Sequence, residues 1–167
     1  HLWHLSSVLY PVSQVQEGKA VLVDFVSQYG LYSHFLYPLF KLINVSIVTF
    51  SITMSALTVT SFSLIYFGLR KIISNRLIVF LSFVAIMYFT YFQSFLNDNF
   101  DIYYQYKPLR IIFPSLMLFT VFGYIFNPNK IKYLLIIFIS SLAILWNFDS
   151  GIICFLSFYI YILYEKL

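Results

Sequence analysis

The chain has 167 residues, of which 61% are hydrophobic, 22% are aromatic and only 10% are charged. So few polar side chains cannot cover a water-soluble globule, and the composition therefore excludes an ordinary soluble domain. The net charge of +4 comes from cations at the ends of apolar segments rather than on one face, which excludes a nucleic-acid-binding surface. The single cysteine, Cys154, excludes an intrachain disulfide and a thiolate metal cluster.

Residues 1–41 do not form a membrane span, because charged residues and glycines interrupt them. Within this segment, residues 27–41 predict an amphipathic helix that lies in the membrane interface. Pro38 would kink this helix or end it early. Its apolar side chains recur at helical spacing and share one face: Leu31, Phe35, Leu39 and Leu42.

Five apolar runs follow, separated by short charged islands. The first two contain no charged residue or histidine, and each is long enough as a helix to cross a hydrocarbon core of about 30 Å. The last three are shorter, but bilayer thinning and snorkelling of flanking cations allow short helices to cross. We therefore expect an all-α polytopic protein with about five membrane-spanning helices. The predicted spans are residues 42–69, 77–96, 111–126, 131–148 and 151–164.

The islands are of two kinds. Those at 70–76 and 130–132 are purely basic, and the positive-inside bias places both in the cytoplasm. Two predicted spans separate them, as is required if they share a side. We therefore expect an outer, extracytoplasmic segment at the start, followed by a transmembrane bundle over 42–167. The segments predicted to meet on the outer face are residues 1–41, 97–110 and 146–151.

The most specific stretch is residues 18–30, Gly-Lys-Ala-Val-Leu-Val-Asp-Phe-Val-Ser-Gln-Tyr-Gly. The stretch consists of a glycine, an apolar run, an aspartate and then Tyr-Gly, ahead of the predicted amphipathic helix. This order resembles the first outer loop of GT-C-type integral membrane glycosyltransferases. The resemblance implies that Asp24 is catalytic and that Gly18, Tyr29 and Gly30 frame the loop. It also implies a sugar donor carried on a polyprenyl phosphate. Many members of that superfamily carry a paired acidic motif at this place, whereas this chain has a lone Asp24.

Transfer from such a donor needs a base for the acceptor hydroxyl and cations for the departing phosphate. Asp24 is the candidate base, and its alternative roles are a solvated loop acid or a helix cap. Lys107 and Arg110 flank Pro108, which can occupy the first turn of the next helix, where the N-terminus itself attracts anions. We expect these two cations to bind the donor phosphate. Interfacial snorkelling is the alternative.

Other polar residues give weaker candidates. Asp98 and Asp101 are three residues apart and could collect oxygen ligands for a divalent cation, although the pattern lacks the glycine turn and terminal Glu of an EF-hand. An ordinary solvated loop is their alternative. Tyr29 and Tyr103 are candidates for stacking on the sugar, or for an interfacial aromatic belt.

The turn 146–151, Trp-Asn-Phe-Asp-Ser-Gly, looks like one that recurs in bacterial relatives of the same glycosyltransferases. We expect Asp149 and Ser150 to cap the last helix and Gly151 to allow the bend. A sugar-contacting role for Asp149 is the second interpretation.

We interpret the chain as the amino-proximal piece of a longer GT-C-like glycosyltransferase in the bacterial plasma membrane. Its partners would be membrane lipid, the polyprenyl-phosphate sugar donor and a glycan or lipid acceptor. A polymerase or ligase of envelope polysaccharides would share the cationic outer loops without needing the aspartate. A transporter or flippase subunit would place polar groups in mid-span, where residues 42–69 carry Ser and Thr but no charge.

Overall fold

The structure is a computed structural model that describes residues 2–92 and 107–166. Within these ranges the chain is all-helical, which confirms the all-α part of the predicted fold class. The elements in chain order are α1 Leu2–Gln16, α2 Tyr32–Ile43, α3 Ile47–Ile72, α4 Arg76–Met87, a π-helical turn Tyr88–Phe92, α5 Lys107–Phe126, α6 Lys130–Trp146 and α7 Phe148–Lys166.

Side chains at the helix N-termini account for where the helices begin. Ser46 Oγ accepts the Thr49 N–H at 3.1 Å, while the Thr49 hydroxyl oxygen accepts the Ser46 N–H at 2.9 Å. This capping box starts α3 at Ile47 rather than at the predicted residue 42. Pro108 lies in the first turn of α5, as predicted, where its missing N–H is not needed.

The predicted span 77–96 corresponds to α4 together with the π-helical turn, and its residues 93–96 lie outside the described ranges. Helices α5, α6 and α7 match the last three predicted spans to within four residues at each end. α5 begins earlier than predicted, because its first turn includes residues 107–110, whose two cations placed them in a loop on the hydropathy pattern.

The first 41 residues contain more helix than the sequence predicted. A helix is present within the stretch 27–41 where one was expected, as α2, which begins at Tyr32 and continues through Pro38 to Ile43. Helix α1 was not predicted, and it packs against α2 through Val8 and Tyr32. The predicted apolar face of α2 points away from the protein, since Phe35, Leu39 and Leu42 are all exposed.

Helices α3 and α5 pack side by side and run parallel. Near their starts, Phe50 and Leu109 are fully buried in one core. Near their ends, Lys71 Nζ donates to the Phe119 carbonyl at 3.1 Å. Gly68 permits this close packing, since a Cβ there would lie 2.7 Å from a methyl carbon of Leu118. The chain between α3 and α5 must therefore return across the bundle, and α4 makes that return.

Helices α6 and α7 complete the bundle. A second core joins them to α5 and contains Met117, Ile136, Ile139 and Phe158. Gly151 of α7 lies directly against the backbone of Ala143 in α6, where a Cβ would be 2.3 Å from a carbonyl carbon. The two helices therefore meet at a tight corner.

Among the described residues, three helices are long and apolar enough to cross a membrane: Ile47–Ile72, Lys107–Phe126 and Phe148–Glu165. The apolar helix Arg76–Tyr91 is shorter, and α6 has 17 residues. Large apolar side chains remain exposed along the bundle, for example 57% of Phe67 and 60% of Phe138. Such a surface requires cover by lipid or by other protein.

The bundle has two chemically different ends. At one end, which we call the loop end, Leu31 N–H donates to the Leu145 carbonyl and the Trp146 indole donates to the Leu109 carbonyl, each at 2.9 Å. At the other, which we call the basic end, Lys71 and Lys132 both reach α5. The described parts of the predicted outer segments therefore do meet at one end, with the basic islands at the opposite end.

Candidate functional site

Residues 17–31 form a closed loop that joins α1 to α2 at the loop end. Gly18 and Leu22 have positive φ angles of 88° and 70°, which turn the chain sharply. The Leu22 N–H donates to the Phe25 carbonyl at 2.7 Å. The Val21 N–H donates to Nε2 of His34 at 3.3 Å, which ties the loop to α2. The backbone of this loop is thus held at several points.

Asp24 closes the same loop. Its Oδ2 accepts the Ala20 N–H at 2.8 Å, and its own N–H donates to the Ala20 carbonyl at 3.0 Å. The Asp24 side chain is exposed, next to Val23, which is 81% exposed. The Oδ2 atom of Asp24 therefore holds the turn, while the side chain remains exposed at the protein surface.

Tyr29 and Gly30 dock the loop onto α6. Tyr29 is buried, with its ring in edge contact with Tyr32 at 6.4 Å between centroids. Gly30 has a φ of +81°, and a Cβ there would lie 2.8 Å from the Trp146 carbonyl oxygen. Only glycine fits this position without displacing backbone. Tyr29 and Gly30, two of the three residues that the resemblance assigns to the loop frame, thus hold the loop against α6.

The start of α5 meets this docked loop. The guanidinium carbon of Arg110 lies 5.5 Å from the centre of the Tyr29 ring, within cation–π range. The Leu109 carbonyl accepts two hydrogen bonds from the α6–α7 corner, from Trp146 Nε1 at 2.9 Å and from Asn147 Nδ2 at 3.3 Å. The loop end therefore brings together Tyr29, Arg110, Trp146 and Asn147.

Lys107 points to a different neighbour. Its Nζ donates to the Thr90 carbonyl and lies 4.3 Å from the centre of the Tyr91 ring. Both partners belong to the π-helical turn, a feature that often occurs at functional sites. Lys107 is half-buried, whereas Arg110 is exposed. The two cations predicted to share one anion therefore contact different neighbours: Lys107 contacts the π-helical turn, and Arg110 contacts the loop.

Asn147, rather than the predicted Asp149 or Ser150, caps the start of α7 at the α6–α7 corner. Asn147 Oδ1 accepts the Asp149 N–H at 3.2 Å, and the Asn147 carbonyl accepts the Gly151 N–H at 2.9 Å. Asn147 therefore replaces Asp149 and Ser150 as the cap, because the helix begins one turn earlier than expected. Asn is a favoured N-cap residue, so its identity was the available signal. Gly151 serves close helix packing rather than a bend.

Asp149 lies in the first turn of α7 and is exposed, where a carboxylate is favoured by the helix dipole. Asp98, Asp101 and Tyr103 lie outside the described residues, so their roles stay predictions. Within residues 2–92 and 107–166, no three His, Cys, Asp or Glu side chains come together as a metal site would require.

Comparison of the chain with protein-family models, with curated proteins and with solved structures gives no match. The functional interpretation therefore depends on the chemistry of the loop end.

Proposed function

We propose that this chain is part of a GT-C-type membrane glycosyltransferase, which transfers a sugar from a polyprenyl-phosphate donor to a glycan or lipid acceptor. The observation that carries the proposal is the contact between Tyr29 and Arg110, which joins the loop of Asp24 to the cation-bearing start of α5. Sugar transfer from a lipid phosphate needs a base and cations at one place.

In the proposed reaction, the Asp24 carboxylate takes the proton of the acceptor hydroxyl. At the same time the hydroxyl oxygen forms a bond to C1 of the sugar. The bond between C1 and the phosphate oxygen breaks, and the phosphate leaves with the electron pair. Arg110 stabilises the negative charge on that phosphate, and Lys107 joins it once its Nζ leaves the Thr90 carbonyl. Because Oδ2 of Asp24 already accepts the Ala20 N–H, Oδ1 is the oxygen that takes the proton.

The surface beside Asp24 supports a lipid-borne donor. Leu22 and Val23 are 74% and 81% exposed in the loop, and Phe35 and Leu39 are exposed on α2. An isoprenoid chain could lie against this apolar surface while its phosphate reaches Arg110. Helix α2 then forms one wall of the donor groove. Tyr29, Tyr103 and Asp149 are the proposed contacts of the sugar.

The proposal includes a multi-pass arrangement in the bacterial plasma membrane with five spans, α3 to α7. The basic end faces the cytoplasm under the positive-inside rule, and the loop end faces outward. Short helices such as α6 can cross where the bilayer thins or flanking lysines snorkel.

A transporter subunit is less well supported. Hydroxyl groups along α3 donate to carbonyls of their own helix one turn earlier, as Thr53 does to Thr49 at 2.8 Å and Ser61 does to Leu57 at 2.7 Å. Hydroxyls satisfied in this way do not need a polar pathway through the bundle.

The test uses the purified protein in proteoliposomes with a panel of labelled polyprenyl-phosphate hexoses and a glycolipid acceptor extract. Acceptor-dependent transfer of label, with release of polyprenyl phosphate, is the expected result. Movement of labelled donor across the bilayer without transfer would favour a flippase. Joining of repeat units that persists in Asp24→Asn would favour a polysaccharide polymerase.

A further inference from the structure

At the basic end, two lysines from different helices converge on Gly123 of α5. Lys132 Nζ donates to the carbonyls of Gly123 and Asn127, both at 2.9 Å. Lys71 Nζ donates to the Phe119 carbonyl. A Cβ on Gly123 would lie only 3.1 Å from this Nζ atom. The absence of a side chain at Gly123 therefore lets the Lys71 ammonium group lie beside the carbonyl that Lys132 contacts.

Neither ammonium group is saturated by these contacts. An ammonium group has three N–H donors, and Lys132 uses two of them on carbonyls. Lys71 uses one on the Phe119 carbonyl and lies 3.3 Å from the centre of the Phe119 ring. No carboxylate pairs with either lysine within the part of the chain that the structure describes. Each lysine keeps a donor for an added acceptor.

The surroundings add further positive charge. Arg70 precedes Lys71 at the end of α3, and its buried Nη1 makes no hydrogen bond to the described residues. The Gly123 and Asn127 carbonyls hold the Lys132 ammonium group at the C-terminus of α5, an end of the helix that attracts cations. The Phe119 carbonyl, further back in α5, holds the Lys71 ammonium group. The partial charges of these carbonyls do not neutralise two full positive charges. An anion would complete this arrangement.

The location of the lysines selects the kind of anion. α3 and α5 are both long and apolar enough to cross a membrane, and both end at this point. Cations at the ends of spanning helices lie at the depth of lipid headgroups, and basic pockets between such helices bind anionic lipids. We propose that Lys71 and Lys132 together bind the phosphate headgroup of an anionic membrane lipid. This site is separate from the donor site proposed at the loop end.

The test measures binding of labelled phosphatidylglycerol to the purified protein in detergent, against phosphatidylcholine and inorganic phosphate as competitors. The double variant Lys71→Gln/Lys132→Gln should bind phosphatidylglycerol about 30-fold more weakly than wild type. The matched control, Arg76→Gln/Lys130→Gln, removes two exposed cations of the same basic islands. It should change binding by less than about threefold.

Thermal unfolding of each variant shows whether it is folded. If the double variant does not fold, Lys71→Gln and Lys132→Gln are compared singly with Lys130→Gln, and each should weaken binding about fivefold. Equal loss of binding in the Lys71/Lys132 variants and in the control variants would overturn the proposal, as would equal affinity for phosphatidylcholine. Competition by inorganic phosphate at the same concentration as the lipid would show a free-phosphate site and overturn the lipid assignment.

Discussion

The guanidinium group of Arg110 lies over the ring of Tyr29, with 5.5 Å between its central carbon and the ring centroid. Arg110 lies in the first turn of α5, whereas Tyr29 lies near the end of the loop that carries Asp24. The cation is therefore positioned by the same loop that presents the acid. A planar guanidinium suits this stacking better than an ammonium group, and it can also grip a phosphate with two hydrogen bonds.

Arg110→Lys should therefore weaken binding of a labelled polyprenyl phosphate about tenfold, although the charge is kept. Tyr29→Phe keeps the ring and is the matched control, with an expected change of less than about threefold. Lys107→Gln should also weaken binding, because it removes the second cation. Equal affinity in wild type, Arg110→Lys and Lys107→Gln would show that both cations are membrane anchors only.

Asp24→Asn should lower sugar transfer by about 100-fold or more while donor binding stays near wild type. The amide oxygen of Asn can still accept the Ala20 N–H, so the loop should stay closed. Asp24→Ala should lose both the base and the closed loop. Asp149→Asn should cost less activity than Asp24→Asn. A fully active Asp24→Asn protein in the reconstituted assay would remove Asp24 from the mechanism.

Gly151→Ala should destabilise the bundle by about 3 kcal/mol or more, because the new Cβ would meet the Ala143 backbone at 2.3 Å. Gly18→Ala is the comparison, since a Cβ there meets nothing within 4 Å and only the positive φ is strained. Its expected cost is about 1 kcal/mol. Thermal unfolding in detergent measures both, and similar unfolding temperatures for the two variants would contradict the tight α6–α7 corner.

Tyr32→Phe tests the docking of α1 on α2. The buried Tyr32 hydroxyl donates to the Val8 carbonyl at 2.6 Å, a bond that contributes about 1 kcal/mol. Burial also raises the pKa of Tyr32 above its ordinary value of 10.0. The stability that neutral Tyr32 provides is therefore complete below pH 10 and is lost as the pH rises further.

Wild type should accordingly be more stable than Tyr32→Phe at pH 8, and the difference should shrink above pH 10. Chemical unfolding of both proteins across this range measures the difference directly. A difference that stays constant from pH 8 to pH 11 would show that Tyr32 does not titrate with unfolding.

Orientation in the membrane is tested by an impermeant thiol reagent applied to intact cells, in a Cys154→Ser background. Gln28→Cys and Asp149→Cys should react because both positions are exposed at the loop end, and Ser74→Cys at the basic end should not. Labelling of Ser74→Cys from outside would reverse the proposed orientation.

The helices of the bundle could be predicted because long runs without charge have few alternatives to a buried or lipid-facing helix. Helix α1 could not, because residues 2–16 have no comparable apolar run and are helical through packing on α2. The contact that the Lys107 ammonium group makes could not be predicted from the sequence either. Spacing alone placed it beside Arg110, whereas the carbonyl of Thr90, available in the π-helical turn, determines where its ammonium group lies.

The parallel packing of α3 and α5 affects how the protein is made. Gly68 and Leu118, which meet in that interface, are separated by fifty residues of chain. At about 5–20 residues per second, translation needs roughly 3–10 s to deliver the second partner after the first. During that interval α3 can pack on helices already made, as Phe50 does on Phe40 of α2, and then on α4. The Gly68 face of α3 lacks its mature partner until α5 has been synthesised.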